Sequence, residues 1–397
     1  MGITDDLIRR GHFPKELPPP FNTESFADFA LSQGSALIAN LLGNKASICL
    51  RHNVARPGGM RRPLSIPHPG HHYQLCELVD SAWTSTLEPL LNNSRISASI
   101  PVRATSGRAF VARTPPSTED LRAQARAAGR YLLVTDIQNF YPTLYTHSVP
   151  WALHGKMIAK SNRTMKLIGN QIDKALRQMQ DRQTVGVPIG PDSSMIIAEC
   201  LLSAVETELI NRIPDIVGYR FRDDIELQFG SRAEAEAAAG SLQEILGDYE
   251  LALNPRKTRV VELPEAMEER GIPEIREWNF RNTPQGRKRD IHAFFDHVFT
   301  TVSSARGGNT AAFAIARLRD LPIDSESWKL LEANSLQLLV AEPSCARQAA
   351  MLFERATSAG HAVSVPGLAR ATERLADHHA ALGHGSEVAW ALFMSIR

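Results

Sequence analysis

Cysteine is scarce: four residues in 397, at Cys49, Cys76, Cys200 and Cys345, with no CxxC spacing among them. That excludes a zinc knuckle or a disulfide frame and predicts a reduced, cytoplasmic protein. No apolar run approaches the ~18 residues that cross a bilayer, so no membrane partner is expected. The N-terminus lacks the basic-then-apolar pattern of a secretory leader. Charge of one sign is lacking too: 44 Lys and Arg face 43 Asp and Glu, for a formal net charge of +1. A nucleic-acid interface would therefore have to gather its basic groups locally. Lys45, Arg51, Arg56, Arg61 and Arg62 do so without an intervening acid, and Arg287, Lys288 and Arg289 form a second cluster. By position alone both read as solvated faces. No tyrosine follows Tyr249, and no repeat of fixed period is evident.

What is present points to an α+β chain of two or three domains. Arg62 to Pro67 reads as a short extended segment, because each proline biases its predecessor away from helix. Residues 71–91 and 164–180 carry apolar groups at three- and four-residue intervals, and Ser194 to Leu209 continues as a helix after Pro191. Ser117 to Asp120 and Ser231 to Glu234 are capping boxes. Tyr131 to Thr135 is an apolar run, as expected of a buried strand, and it delivers Asp136 at its end. Tyr219 to Phe229 alternates in two halves around Asp223 and Asp224, a hairpin with carboxylates at its tip. Thr258 to Leu263 is another strand candidate. From Asp290 onward only helices are expected, separated by loops such as Arg306 to Asn309.

A strand ending in one Asp beside a hairpin tip bearing two more is the donor set that two divalent cations need. Such a pair lowers the pKa of an attacking hydroxyl and neutralises a leaving pyrophosphate. Mg²⁺ favours carboxylate oxygens. An Asp-Asp pair alone would be an ordinary surface turn; its order and context give it weight.

In that context, Asp136-Ile137-Gln138-Asn139-Phe140-Tyr141 resembles motif A of reverse transcriptases. Gly186-Val187-Pro188-Ile189-Gly190-Pro191 resembles motif B, Phe221-Arg222-Asp223-Asp224 motif C, and Leu253-Asn254-Pro255-Arg256-Lys257-Thr258 motif D. The similarity covers roughly residues 45–285. It implies fingers and a palm with an antiparallel sheet, followed by an all-helical domain. The domain plan is a 1–40 extension, a 41–285 fingers and palm, and a 286–397 helical domain. It further implies catalysis by Asp136, Asp223, Asp224 and Lys257, with two Mg²⁺ ions, or Mn²⁺ in their place, held by the three Asp together with Ile137. Tyr141 is the implied steric gate against a ribose 2′-hydroxyl, with Phe140 beside it. Gly186, Pro188 and Gly190 approach base and template, and Lys257 meets the pyrophosphate. Arg62 grips the triphosphate, its planar fork suiting phosphate oxygens, with Arg61 or Arg56 assisting. Arg222 departs from the apolar residue of many retroviral enzymes.

The RNase H carboxylates of retroviral relatives and the maturase or HNH segments of group II intron relatives are not visible. The helical C-terminal part, Arg62 to Pro69, Gly190 to Ser194 and His384 to Trp390 resemble the prokaryotic defence-associated, abortive-infection reverse transcriptases. The implied partners are dNTPs, an RNA or DNA template-primer or product, and a non-coding RNA in some members. A homo-oligomer is common in that group. If the helical domain primes synthesis, Ser or Thr must serve. Open alternatives are a silent nucleic-acid-binding or assembly module, a group II intron- or retron-like enzyme, and an RNA polymerase or primase on a similar palm. His378, His379 and His384 read as packing and capping residues, because no Cys or carboxylate completes a familiar ligand spacing. Trp278, Trp328 and Trp390 read as core anchors.

Overall fold

The computed structural model describes residues 2–113, 117–269, 271–304, 308–319 and 321–396, with only the backbone of Thr118. The Arg306–Asn309 loop lies partly outside these residues. The chain forms two compact units. One comprises Met1–Lys15, Asn22–Arg51 and Ser65–Met267; the other Glu16–Phe21, His52–Leu64 and Glu268–Arg397.

The first unit is α+β. Its centre is a four-stranded antiparallel sheet of order β6-β7-β5-β8, with β5 at Tyr131–Asp136, β6 at Val217–Phe221, β7 at Asp224–Phe229 and β8 at Arg259–Glu262. β5 is apolar on both faces because it is covered on both: Leu132 and Leu133 are fully buried. The Arg232–Asp248 helix packs on β5, β7 and β8, and its capping box, Ser231 with Glu234, forms as expected. The long Asp192–Arg212 helix starts after Pro191 and is buried along much of its length, which explains why it lacks a clear polar stripe. Residues 164–180 form a helix only over Ile168–Gln178.

The N-terminal extension contributes to the core. Ile3–Arg10 is a helix whose Leu7 and Ile8 enter the core of this unit. Ahead of the sheet, two-stranded pairings join Leu50–Ala55 (β1) to Arg61–Ile66 (β2), and Pro101–Arg103 (β3) to Phe110–Ala112 (β4). The hairpin segment His52–Leu64 belongs to the second unit.

The second unit is built on helices, as expected after residue 290. Pro284–Ser304, Thr310–Arg319, Ser325–Ala341, Ala346–Ser358, Val365–Ala380 and Gly385–Ile396 surround a core that includes Phe294, Trp328 and Trp390. Trp278 packs against that core while partly exposed. Arg287 and Lys288 pair with Asp324 and Glu326 at 2.8 Å; Lys288 and Arg289 face water, but the Arg287 side chain keeps only 13% of its surface, so the cluster is ion-paired and only partly solvated. No helix among the described residues is long and apolar enough to cross a membrane.

Candidate active site

The sheet register brings the three aspartates together. β5 and β7 run antiparallel with Asp136 directly opposite Asp224, an arrangement that places the two Cβ atoms about 4.5–5.5 Å apart on one face. β6 and β7 are joined by Arg222 and Asp223 alone, since Phe221 pairs with Asp224. Asp223 is thus at the tip, and its carbonyl accepts a 3.2 Å bond from Ile137 N–H at the end of β5. The Ile137 side chain is buried, so a metal could meet this residue only through its backbone carbonyl.

The loop carrying Lys257 is stitched to the same strand end. Gln138 N–H donates to Ala252 and Asn254 N–H to Asp136, each at 2.9 Å, and Ile137 bridges Leu253. Lys257 Nζ consequently makes a close ion pair with Asp136 Oδ2 and lies 3.8 Å from Asp224 Oδ1.

Electrostatically this is a carboxylate cluster with one ammonium set among it. The Asp224 carboxyl sits above the usual range: the surrounding protein thins its hydration, and Asp223 and Asp136 repel its charge, which Lys257 only partly offsets. Its side chain keeps 67% of its surface open to water, so repulsion is the cause that carries more weight. Partial burial works against the Lys257 charge, yet the bond to Asp136 and the fields of Asp224, Asp136 and Asp223 hold its pKa above the ordinary lysine value. Asp136 is only 5% exposed, and its Oδ1 is buried with no hydrogen-bond partner. A buried anionic oxygen left unsatisfied is costly, and a hard cation would complete it. The residues present therefore fit divalent metal ions of the Mg²⁺ or Mn²⁺ type.

Residues that sequence reasoning missed hold the hairpin tip in place. Arg220, 3% exposed, spans two glutamates of the Asp192–Arg212 helix, at 2.7 Å from Glu199 and 3.4 Å from Glu206. Its Nη1 also donates to the Arg222 carbonyl at 3.2 Å, and Arg222 N–H donates to Ser99 Oγ at 2.7 Å. These bonds fix Arg222 in the left-handed region, at φ 56°, where the turn needs it. The Arg222 guanidinium lies over the Phe221 ring, 5.6 Å from its centroid. On the face of Asp224, Glu226 takes ion pairs from Arg122 at 3.0 Å and Arg126 at 2.8 Å. Burial alone would raise the Glu226 pKa, but bonds from Arg126 and Tyr219 and the arginine charges hold it below the ordinary value. The alternation read in the hairpin is thus real, but Arg220 and Glu226, on opposite faces, are buried and ion-paired, while Asp224 stays open to water. Glu199 and Glu206, two turns apart and both buried on the Asp192–Arg212 helix, were the available signal.

The remaining candidates fall in separate places. Phe140 is 2% exposed and belongs to the core, its ring 5.3 Å from that of Tyr141, which is half-buried. Gly186 takes φ 94° and its N–H donates to Leu144 at 2.8 Å; Pro188 is buried. Gly190 adopts φ 140°, and a Cβ there would meet Pro14 at 2.6 Å and the Ser65 carbonyl at 3.2 Å. The space this glycine leaves is filled by the protein's own N-terminal segment. Arg108 locks the arrangement by pairing with Asp192 and donating to the Gly190 carbonyl at 3.1 Å. Arg56, Arg61 and Arg62 lie in the hairpin segment of the second unit. Arg56 is exposed and Arg62 half-buried, while Arg61 is committed to Glu387 and Asn53.

The family model described as reverse transcriptase (RNA-dependent DNA polymerase) matches residues 86–298, more than half of the chain. No curated protein matches the sequence. Among solved structures, a telomerase from Candida albicans in complex with the TWJ fragment of telomeric RNA aligns over 93% of this chain, at 11% identity and a TM-score of 0.34. The chain spans 64% of the length of that telomerase chain.

Proposed function

The chain belongs to the reverse transcriptase (RNA-dependent DNA polymerase) family, and on that premise we propose that it is a nucleotidyltransferase adding dNTPs to a primer hydroxyl at Asp136, Asp223 and Asp224. One observation supports this reading above the others: Asp136 stands in register with Asp224 while its buried Oδ1 has no partner. Two Mg²⁺ ions, or Mn²⁺ in their place, held by these carboxylates would activate the attacking hydroxyl and neutralise the leaving pyrophosphate. Lys257 balances carboxylate charge in their absence and moves toward the pyrophosphate when a nucleotide binds. Tyr141 excludes a ribose 2′-hydroxyl by bulk. By resemblance, Arg62 contacts the triphosphate; Arg222, which departs from the family pattern, steadies the motif C turn through its backbone bonds to Arg220 and Ser99.

The proposal extends to the domain plan of 1–40, 41–285 and 286–397, to an RNA or DNA template-primer, and to a cytoplasmic role in anti-phage defence. Homo-oligomerisation and a non-coding RNA partner belong to the same proposal. The experiment is incorporation of labelled dNTPs by the purified full chain on an RNA template with a DNA primer, and without either, in Mg²⁺. Wild type extends and Asp223→Ala does not. Equal incorporation by Asp223→Ala would remove the site from the chemistry, and unchanged phage protection by that variant would separate defence from polymerisation.

A further inference from the structure

We propose that the second unit holds a transition-metal site of the zinc class, formed by His379, His384 and Glu387. Sequence reasoning set these histidines aside for want of a carboxylate at a familiar spacing; the folded chain supplies one. His379 lies in the last turn of the Val365–Ala380 helix and Glu387 in the first turn of Gly385–Ile396, with His384 in the connection. Gly383, at φ 68°, lets that connection turn back, and His384 N–H donates to the His379 carbonyl at 2.9 Å. Both imidazoles thereby present Nδ1 to the same point.

The distances are those of a ligand set. His379 Nδ1 and His384 Nδ1 are 3.0 Å apart, and they lie 3.4 and 3.9 Å from Glu387 Oε1. A circle through three atoms so spaced has a radius of about 2.0 Å, the bond length zinc takes to imidazole nitrogen and carboxylate oxygen. Two neutral imidazoles and one carboxylate suit Zn²⁺ or Co²⁺ better than Mg²⁺, and leave a fourth position for water. Glu387 is 1% exposed, while the histidine side chains keep 13% and 20% of their surface, which gives an ion a way in.

Arg61 is the outer partner. It bonds both oxygens of Glu387 and is itself held by Asn53, through Nε at 3.2 Å and Nη2 at 2.7 Å. Such bonds orient a ligating carboxylate. They also neutralise part of its charge, so the site is weaker than a cysteine-built structural zinc. An ion sharing Glu387 with Arg61 would clip the last helix pair to the hairpin segment His52–Leu64.

The test uses the purified full chain, stripped with a chelator and titrated with Zn²⁺ by calorimetry and with Co²⁺ by visible absorption. The expected result is one tightly held Zn²⁺ per chain in addition to any taken up by the aspartates, and the intense bands of four-coordinate Co²⁺. Asp136→Asn keeps that binding, and His384→Ala weakens it at least about tenfold. If His384→Ala fails to fold, His384→Gln with wild-type circular dichroism carries the same comparison. Absence of stoichiometric Zn²⁺, or equal affinity in the folded histidine variant, would overturn the proposal.

Discussion

Replacing Arg220 by methionine should cost more stability than any substitution among the aspartates, because it strands two buried acids. Glu199 and Glu206 are each about 2% exposed, and Arg220 is the cation between them. Glu206 would keep neutral donors from Ser94 Oγ and the Arg95 and Ile96 N–H groups, and Glu199 would keep the Ser97 and Ser99 hydroxyls. Breaking a buried ion pair from one side costs about 3–5 kcal/mol. A ceiling follows independently. Each stranded carboxylate can take a proton, and at pH 7 that costs about 1.36 kcal/mol for each unit above an ordinary value of about 4.3, or about 3.7 kcal/mol apiece and about 7 kcal/mol for the two. The expected loss is therefore about 3–5 kcal/mol at pH 7, within that ceiling. It should shrink on acidification, as protonation relieves the stranded charge. Urea unfolding of wild type and Arg220→Met at pH 7 and pH 5.5 measures both quantities. A loss below about 1 kcal/mol, or one independent of pH, would refute the argument that this guanidinium anchors the motif C hairpin.

Other outcomes follow from the same cluster. Asp224 has its pKa raised in the fold, so its charge destabilises the metal-free protein above that value and ceases to do so below the ordinary carboxylate range. Asp224→Asn should then be slightly more stable than wild type at neutral pH, by less than about 1 kcal/mol given its exposure. The two should converge in acid, as thermal melts in chelator would report. Lys257→Ala should bind Mn²⁺ more tightly without substrate, because the competing ammonium is gone, yet turn over more slowly; unchanged Mn²⁺ affinity would argue against that competition. Tyr141→Ala should raise rNTP use relative to dNTP by about 10–200-fold, the span of a clash worth 1–3 kcal/mol. Unchanged sugar preference would assign Tyr141 to packing.

The palm was legible because its signals are local. An apolar strand ending in Asp136, an alternating hairpin around Asp223 and Asp224, and two capping boxes each depend on neighbours within a few residues. The arrangement of motif B was not legible. The partners that fill the space at Gly190 and bind Asp192 are Pro14, Ser65 and Arg108, all remote in sequence, and nothing in the loop names them. The buried Glu199–Arg220–Glu206 triad was missed for a related reason: charged residues in alternating or helical positions read as solvent-facing until the opposing element is known. The histidine cluster shows the limit from the other side. His379, His384 and Glu387 are close in sequence, but only the turn at Gly383 aims their donor atoms at one point.

The proposed chemistry requires three carboxylates that converge to hold divalent cations. Titration of the full chain with Mn²⁺, with bound ions counted by electron paramagnetic resonance in the presence of a dNTP, tests it most directly. Wild type should bind two ions that Asp136→Asn fails to retain. Equal Mn²⁺ binding by the folded Asp136→Asn protein would contradict the account.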